Sequence, residues 1–243
     1  VREFGSPEVL RLEEVRDPTP GPDEVLVRVR AAGVNPVDTY RRSGNYGSLP
    51  ELPYTPGSDA AGEVVRVGSR VKAWQEGDRV YTDHRARGAY AELIRCHEER
   101  VHALPEVISF AAGAALGVPY ATAFRALFYR GGGRTGERVL IHGATGGVGL
   151  AAVQLARSMR MQVVATGGSE QGRALAREQG ADEVLDHSAP DHSERLEAVA
   201  GEEGFDVILE MLANENLPLD LRVVAKQGRI VVIGSRGPVE IDP

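Results

Sequence analysis

The segment His142-Gly-Ala-Thr-Gly-Gly-Val-Gly149 joins an apolar run, Arg138 to His142, to a stretch with helical spacing from Val148 to Met159. A glycine-rich turn between a strand and a helix suits the binding of a diphosphate. Gly146 and Gly147 carry no Cβ to hold the backbone away from an anion, and Gly149 lets helix and strand pack closely. The unpaired N–H groups of the helix then face the ligand. Ala144 stands where the dinucleotide fingerprint begins with glycine, and such turns also occur for packing alone. The dinucleotide reading therefore depends on the surrounding βαβ unit.

The end of the next strand, Gln162 to Thr166, selects between dinucleotides. Folds that choose NAD place an acid about 20 residues past the glycines, where it accepts from the ribose 2′-hydroxyl. Here that stretch is Ala165-Thr-Gly-Gly-Ser169, and the place of the acid falls on Gly168. Without a carboxylate a 2′-phosphate meets no repulsion, and Ser169, Arg173 and His187 offer donors. This predicts NADPH over NADH. Arg173 and His187 also read as a solvated helix residue and a turn residue.

The elements that position these groups follow from the rhythm of the chain. The first hundred residues read as short strands between Gly/Pro breaks: an alternating stretch from Val9 to Glu14, then Asp17-Pro-Thr-Pro-Gly-Pro22, then EVLVRVRA with Val25, Val27 and Val29 on one face. GEVVRVG from Gly62, RVYT from Arg79, the stretch Tyr90 to Arg95 and the surroundings of Val101 continue a β-rich barrel or sandwich. From Ser109 to Leu127 the chain turns Ala-rich and helical, with Pro119 opening a second helix. Strands near residues 140, 164, 184, 207 and 231 then alternate with helices, which predicts a parallel sheet covered on both faces. The fold class is α/β, with a domain boundary between 110 and 125 and domains assigned as 1–115 and 116–243.

Composition narrows the function classes. The 243 residues carry 28 Lys+Arg against 35 Asp+Glu, a formal charge of −7, which disfavours nonspecific nucleic-acid binding. No apolar run approaches the roughly 18 residues of a bilayer-spanning helix. The opening residues carry turn formers where a secretory leader would be basic and then apolar. One cysteine, Cys96, allows neither an internal disulfide nor a cysteine-rich zinc cluster, and lacks flanking groups that would activate it. These features predict a cytoplasmic protein without a membrane span.

Several segments resemble the zeta-crystallin-like quinone oxidoreductase branch of the medium-chain dehydrogenase/reductase superfamily. They are Ala32-Gly-Val-Asn-Pro-Val-Asp-Thr-Tyr40, Leu52-Pro-Tyr-Thr-Pro-Gly-Ser-Asp59, Gly113-Ala-Ala-Leu-Gly-Val-Pro-Tyr120, His142 to Gly149, Glu210-Met-Leu-Ala-Asn214 and Gly234-Ser-Arg-Gly237. The resemblance implies a GroES-like catalytic domain followed by a Rossmann domain, with NADPH in the cleft between them and quinones as substrates. It places Tyr40 near the nicotinamide and Asn35 in the active cleft, both as catalytic candidates. Thr145, Gly146, Gly147 and Val148 would hold the pyrophosphate, and Gly168 and His187 would lie at the 2′-phosphate. Asn216 and the stretch Ile233, Gly234, Ser235, Arg236 would line the rest of the cofactor. One related bacterial pattern has a phosphate-binding lysine where this chain has Gly172, with Arg173 beside it.

Zinc alcohol dehydrogenases of the same superfamily hold their metal with two Cys and one His. The matching places here are Asn35, Ser58 and Val118, and none is a zinc ligand. The stretch Thr82 to Ala89 lacks the cysteines of the structural zinc lobe, and no pair among His84, His97, His102, His142, His187 and His192 has metal-motif spacing. No metal is expected. A quinone needs little polarisation, so orientation, a dry cleft and hydrogen bonds from Asn35 and Tyr40 would suffice. Tyr46 and Tyr54 read either as part of the acceptor wall or as turn and rim packing.

A six-stranded sheet in the order 3-2-1-4-5-6 would complete this fold, whereas five strands are countable. The fifth would be an exposed edge, so a partial, C-terminally incomplete sequence is expected. The resemblance implies a homo-oligomer, dimer or tetramer, when the missing region is present. Two further readings stay open: a non-catalytic crystallin-like or AU-rich RNA-binding protein, and a 2-alkenal or enoyl reductase of the same superfamily.

Overall fold

The computed structural model describes residues 1–241. The chain divides between Ala121 and Thr122 into two compact units. The first contains a five-stranded antiparallel sheet: β1 (Glu24–Ala32), β2 (Ala60–Val67), β3 (Arg79–Thr82), β4 (Leu93–His97) and β5 (Val101–Ala103), in the order β4-β1-β2-β3-β5. Val25, Val27, Val64, Val80 and Ile94 form its core, with Trp74 and Tyr90 packed against them. The alternation in β1 is incomplete, because Leu26 is buried as well.

The sequence reading needs two corrections in this unit. Val9 to Glu14 does not form a strand: Pro7–Val9 is a short 3-10 turn, and no regular element follows before β1. Leu12 is wholly exposed, so the alternation there marks no buried face. The second correction is α1 (Pro36–Ser43), a helix not anticipated among the strands. Its signals are local. Asn35 is the N-cap, Pro36 opens the helix, and Asp38 closes a reciprocal capping box by accepting from the Asn35 N–H at 3.0 Å. Gly44 ends it at φ 81°, a left-handed conformation that favours glycine.

Ser109 caps α2 (Phe110–Gly113), and α3 (Gly117–Phe124) carries Pro119 in its first turn, where a missing N–H costs nothing. The chain then widens into a π-type turn over Arg125–Arg130. In the second unit β6 (Arg138–Ile141), β7 (Gln162–Gly167), β8 (Glu183–Asp186), β9 (Phe205–Glu210) and β10 (Val224–Val232) form a parallel sheet. Its order, β10-β9-β6-β7-β8, is the expected 3-2-1-4-5 when its strands are counted from β6. The connecting helices are α4 (Gly147–Ser158), α5 (Glu170–Glu178), α6 (His192–Ala200) and α7 (Ala213–Val223). Leu140, Phe205, Ile208 and Leu196 are fully buried at its centre. The strand expected near residue 231 spans Val224–Val232 and is only partly buried, as suits an edge. Residues 242–243 lie outside the described residues. Among the described residues, no helix is long and apolar enough to cross a membrane.

Candidate active site

In the second unit the glycine-rich turn lies at the carboxyl end of β6. The Gly143 N–H donates to Thr166 Oγ1 at 3.1 Å and the Ala144 N–H to the Thr166 carbonyl at 2.8 Å, which pins the turn to β7. Ala144, at the fingerprint's first position, is fully buried. A Cβ on Gly149 would lie 2.4 Å from the Gly143 oxygen, so this glycine is required for α4 to sit on the turn. A Cβ on Gly146 would meet only the Gly143 oxygen at 3.6 Å, leaving open space. Gly146 and Gly147 are exposed, Thr145 and Val148 partly so, and the first turn of α4 carries no acid to oppose an anion.

Thr145 also reaches α5. A Cβ on Gly172 would lie 2.7 Å from Thr145 Cγ2 and 2.9 Å from Ser169 Oγ, so a longer residue there would displace Thr145. Ser169 caps α5, its Oγ accepting from the Gly172 N–H at 3.1 Å. Gly168 and His187 come together: a Cβ on Gly168 would be 2.8 Å from His187 Nε2. Arg173 is committed to this turn. Its guanidinium donates to the carbonyls of Gly167 and Gly168 at 3.2 and 3.1 Å and pairs with Asp186 at 2.8 Å and Glu170 at 2.7 Å. The Ser188 N–H, followed by Arg173, holds the Asp186 carboxyl below its usual range. The carboxylates near the end of β7 are thus engaged by a cation.

The remaining cofactor candidates gather beyond β9. The Ile233 N–H donates to the Glu210 carbonyl at 2.7 Å, and Asn214 Oδ1 accepts from the Arg236 N–H at 2.7 Å and the Ser235 hydroxyl at 3.2 Å. The Ala213 N–H donates to the Gly234 carbonyl at 3.0 Å. Asn216 Nδ2 donates to Glu210 Oε1 at 3.1 Å, and the Leu212 N–H donates to the same oxygen. This links Asn216 to a buried group that sequence reasoning missed. His142 Nε2 lies 2.8 Å from Asp220 Oδ1 and 3.6 Å from Glu210 Oε2, with all three side chains buried. Burial depresses the His142 pKa and raises those of Glu210 and Asp220, the last to about 7. Glu210 Oε2 and Asp220 Oδ2 have no donor, so one proton between them would satisfy both. Nε2 and Oδ1 are closer than the about 3.3 Å that separates two donors on one tetrahedral ion. The trio is a hydrogen-bonded cluster.

In the first unit Asn35 and Tyr40 share α1 and its cap. Asn35 is buried and Tyr40 is exposed. Asn35 Nδ2 donates to Asp59 Oδ2 at 2.9 Å, and the Val118 N–H donates to both Asp59 oxygens at 2.9 and 3.1 Å. Tyr90 donates to Asp38 Oδ2 at 3.0 Å, and burial raises its pKa. Asp38 and Tyr54, with Arg41 and Arg87, line a hollow of about 370 Å³. The Tyr54 hydroxyl is buried there without a partner, and burial raises its pKa. Tyr46 instead lies under the Arg41 guanidinium, 5.1 Å from the ring centre. Asp59 carried a local sequence signal, an acid directly before the small residues Ala60-Ala-Gly62 that open β2, and a carboxylate buried there needs a partner.

Residues 21–106 match the alcohol dehydrogenase GroES-like domain, and residues 147–243 match the zinc-binding dehydrogenase family. The quinone oxidoreductase of Mus musculus is 50% identical over 246 residues, covering 100% of this chain and 74% of that protein. That of Homo sapiens is 47% identical over 244 residues, with the same coverage. The crystal structure of Escherichia coli quinone oxidoreductase complexed with NADPH superposes with a TM-score of 0.88 at 33% identity, covering 100% of this chain and 74% of that one. The second family's description raises the question of zinc, which these residues do not fit. Asn35 offers an amide already bonded to Asp59, Ser58 Oγ is 3.4 Å from an Arg87 nitrogen, and Val118 is aliphatic. Cys96 is buried in β4, its thiol pushed up by burial to about 12.

Proposed function

Because the chain belongs to the quinone oxidoreductase family of the medium-chain dehydrogenase/reductase superfamily, we propose that it reduces quinones with NADPH, without a metal. Bound NADPH supplies the reducing equivalents. The backbone of Thr145, Gly146, Gly147 and Val148 binds the diphosphate at the start of α4, where open space over Gly146 and the absence of acid favour an anion. Gly168, Ser169 and His187 face the adenosine phosphate. Arg173 stiffens their turn and neutralises Glu170 and Asp186, acids that would otherwise repel that phosphate. Asn216 and the stretch Ile233, Gly234, Ser235 and Arg236 line the remainder, ordered by their bonds to Glu210 and Asn214. Asn35 and Tyr40 orient the reacting pair.

The observation that carries this reading is the end of β7, which offers Gly167-Gly168-Ser169 and a paired arginine where an NAD-selecting site presents a free carboxylate. The test mixes the protein with 1,2-naphthoquinone and either NADPH or NADH and follows oxidation of the cofactor. A preference for NADPH of about ten-fold or more in kcat/KM is expected, the size of one good charge-assisted contact. Cofactor binding without turnover, an equal rate with NADH, or turnover confined to α,β-unsaturated carbonyls would overturn the reading.

A further inference from the structure

Two of the three places that the resemblance matches to zinc ligands, Asn35 and Val118, meet here at a carboxylate. Asp59 is 1% exposed; its Oδ2 takes the Asn35 amide, and the Val118 N–H reaches both of its oxygens, Oδ1 at 2.9 Å and Oδ2 at 3.1 Å. The capping box turns the Asn35 side-chain oxygen to the start of α1, and a carboxylate can only accept, so the amino edge of Asn35 must face Asp59. An amide nitrogen carries two hydrogens, and Asp59 Oδ2 takes one.

We propose that Asp59 is the positioning residue that fixes the Asn35 amide, so that its second N–H donates to the quinone oxygen that gains electron density during reduction. This rests on the reading that Asn35 faces the reacting pair. A fixed donor in a dry site needs no reorganisation when charge develops, which is why orientation matters more than hydrogen-bond count. Protonated Asp59 loses this hold, because its O–H donates to the Asn35 oxygen and pulls the amide round.

The surroundings set where that happens. Burial pushes Asp59 up to about 6; the bonds from Asn35 and Val118 oppose the rise, and the like charges of Asp38 and Asp83 add to it. Asp83 is itself paired with Arg85 at 2.8 Å, Tyr90 donates to Asp38, and Arg87 approaches Ser58. Rate should therefore be full above this value and fall as pH drops through it.

The test compares the parent with Asp59→Asn, Asp38→Asn and Asn35→Ala in NADPH-dependent reduction of 1,2-naphthoquinone from pH 5 to 8. In Asp59→Asn the new amide keeps the Val118 bond with its oxygen and turns its amino group on Asn35, reversing that side chain. A fall in kcat of about ten-fold or more at pH 8 is expected, with KM for NADPH within about two-fold and no decline near pH 6. Asp38→Asn keeps an acceptor for the Asn35 N–H and removes the like charge, so its midpoint should move to lower pH. Parental kcat and pH profile in Asp59→Asn, or an unmoved midpoint in Asp38→Asn, would overturn the proposal. The prior reading fails separately, through Asn35→Ala with parental activity.

Discussion

Asp220 shows how a buried polar residue is kept in place by its proton count. Two carboxyls and an imidazole, fully enclosed, cannot all carry their usual charges, and the two oxygens without donors mark where the spare proton belongs. Asp220→Asn should be tolerated: its oxygen still accepts from His142 and its amino group can donate to Glu210 Oε2. Asp220→Ala leaves His142 and Glu210 without that partner and should cost about 2–4 kcal/mol. Urea denaturation at pH 6 and pH 8 checks both. Asp220→Asn is expected within about 1 kcal/mol of the parent at pH 6 and more stable than it at pH 8, where the parent must give up its proton. Equal losses in the two variants would show that packing, rather than proton sharing, fixes the cluster.

At the scale of elements, the turn between β6 and α4 separates two uses of glycine. Gly149 is needed for contact between the helix and the turn, with 2.4 Å between a hypothetical Cβ and the Gly143 oxygen. Gly149→Ala should lower Tm by overpacking, a cost of about 1–3 kcal/mol. Gly146 faces open space, so Gly146→Ala should leave Tm unchanged and weaken NADPH binding about ten-fold, or about 1.4 kcal/mol. Calorimetry of melting and of NADPH titration separates the two, and a loss of affinity without loss of stability in Gly149→Ala would reverse the assignment. These roles were legible in part, because strand, turn and helix follow from local periodicity. The parallel strands were readable for the same reason: RVLI and FDVILE are apolar runs bounded by turns. The α1 helix was not, since only eight residues with two adjacent arginines give little periodicity, and its cues were confined to its ends, Asn35-Pro-Val-Asp38 and Gly44. Asp59 and Asp220 were invisible as partners because Asn35 is 24 residues from one and His142 is 78 from the other. Residue spacing carries no trace of such pairings.

For the molecule as a whole, these buried groups decide how stability follows pH. Asp59, Asp220 and Glu210 have folded-state pKa values raised by burial, to about 6 and about 7 for the two aspartates. The folded chain therefore binds more protons than the unfolded one, whose carboxyls titrate near 4. Their contribution is complete below about pH 4 and is lost as pH rises through the folded values. His142 acts in the opposite sense, since burial lowers its pKa and stability from it is lost on acidification below about 6.5. The exposed pairs, such as Arg70 with Asp23 and Arg2 with Glu13, add little. The formal charge of −7 works in the same direction as the buried carboxyls, because self-repulsion grows as the last protons leave. The net effect between pH 6 and pH 8 is a loss of about 1–2 kcal/mol, equivalent to a Tm lower by roughly 2–6 °C for a chain of this size. Differential scanning calorimetry of the parent should show that decline, and Asp59→Asn combined with Asp220→Asn should flatten it, because both amides stay neutral across the range. A Tm that rises from pH 6 to pH 8 would mean that His142 governs the balance, and a parental slope in the double variant would place the titrating groups elsewhere.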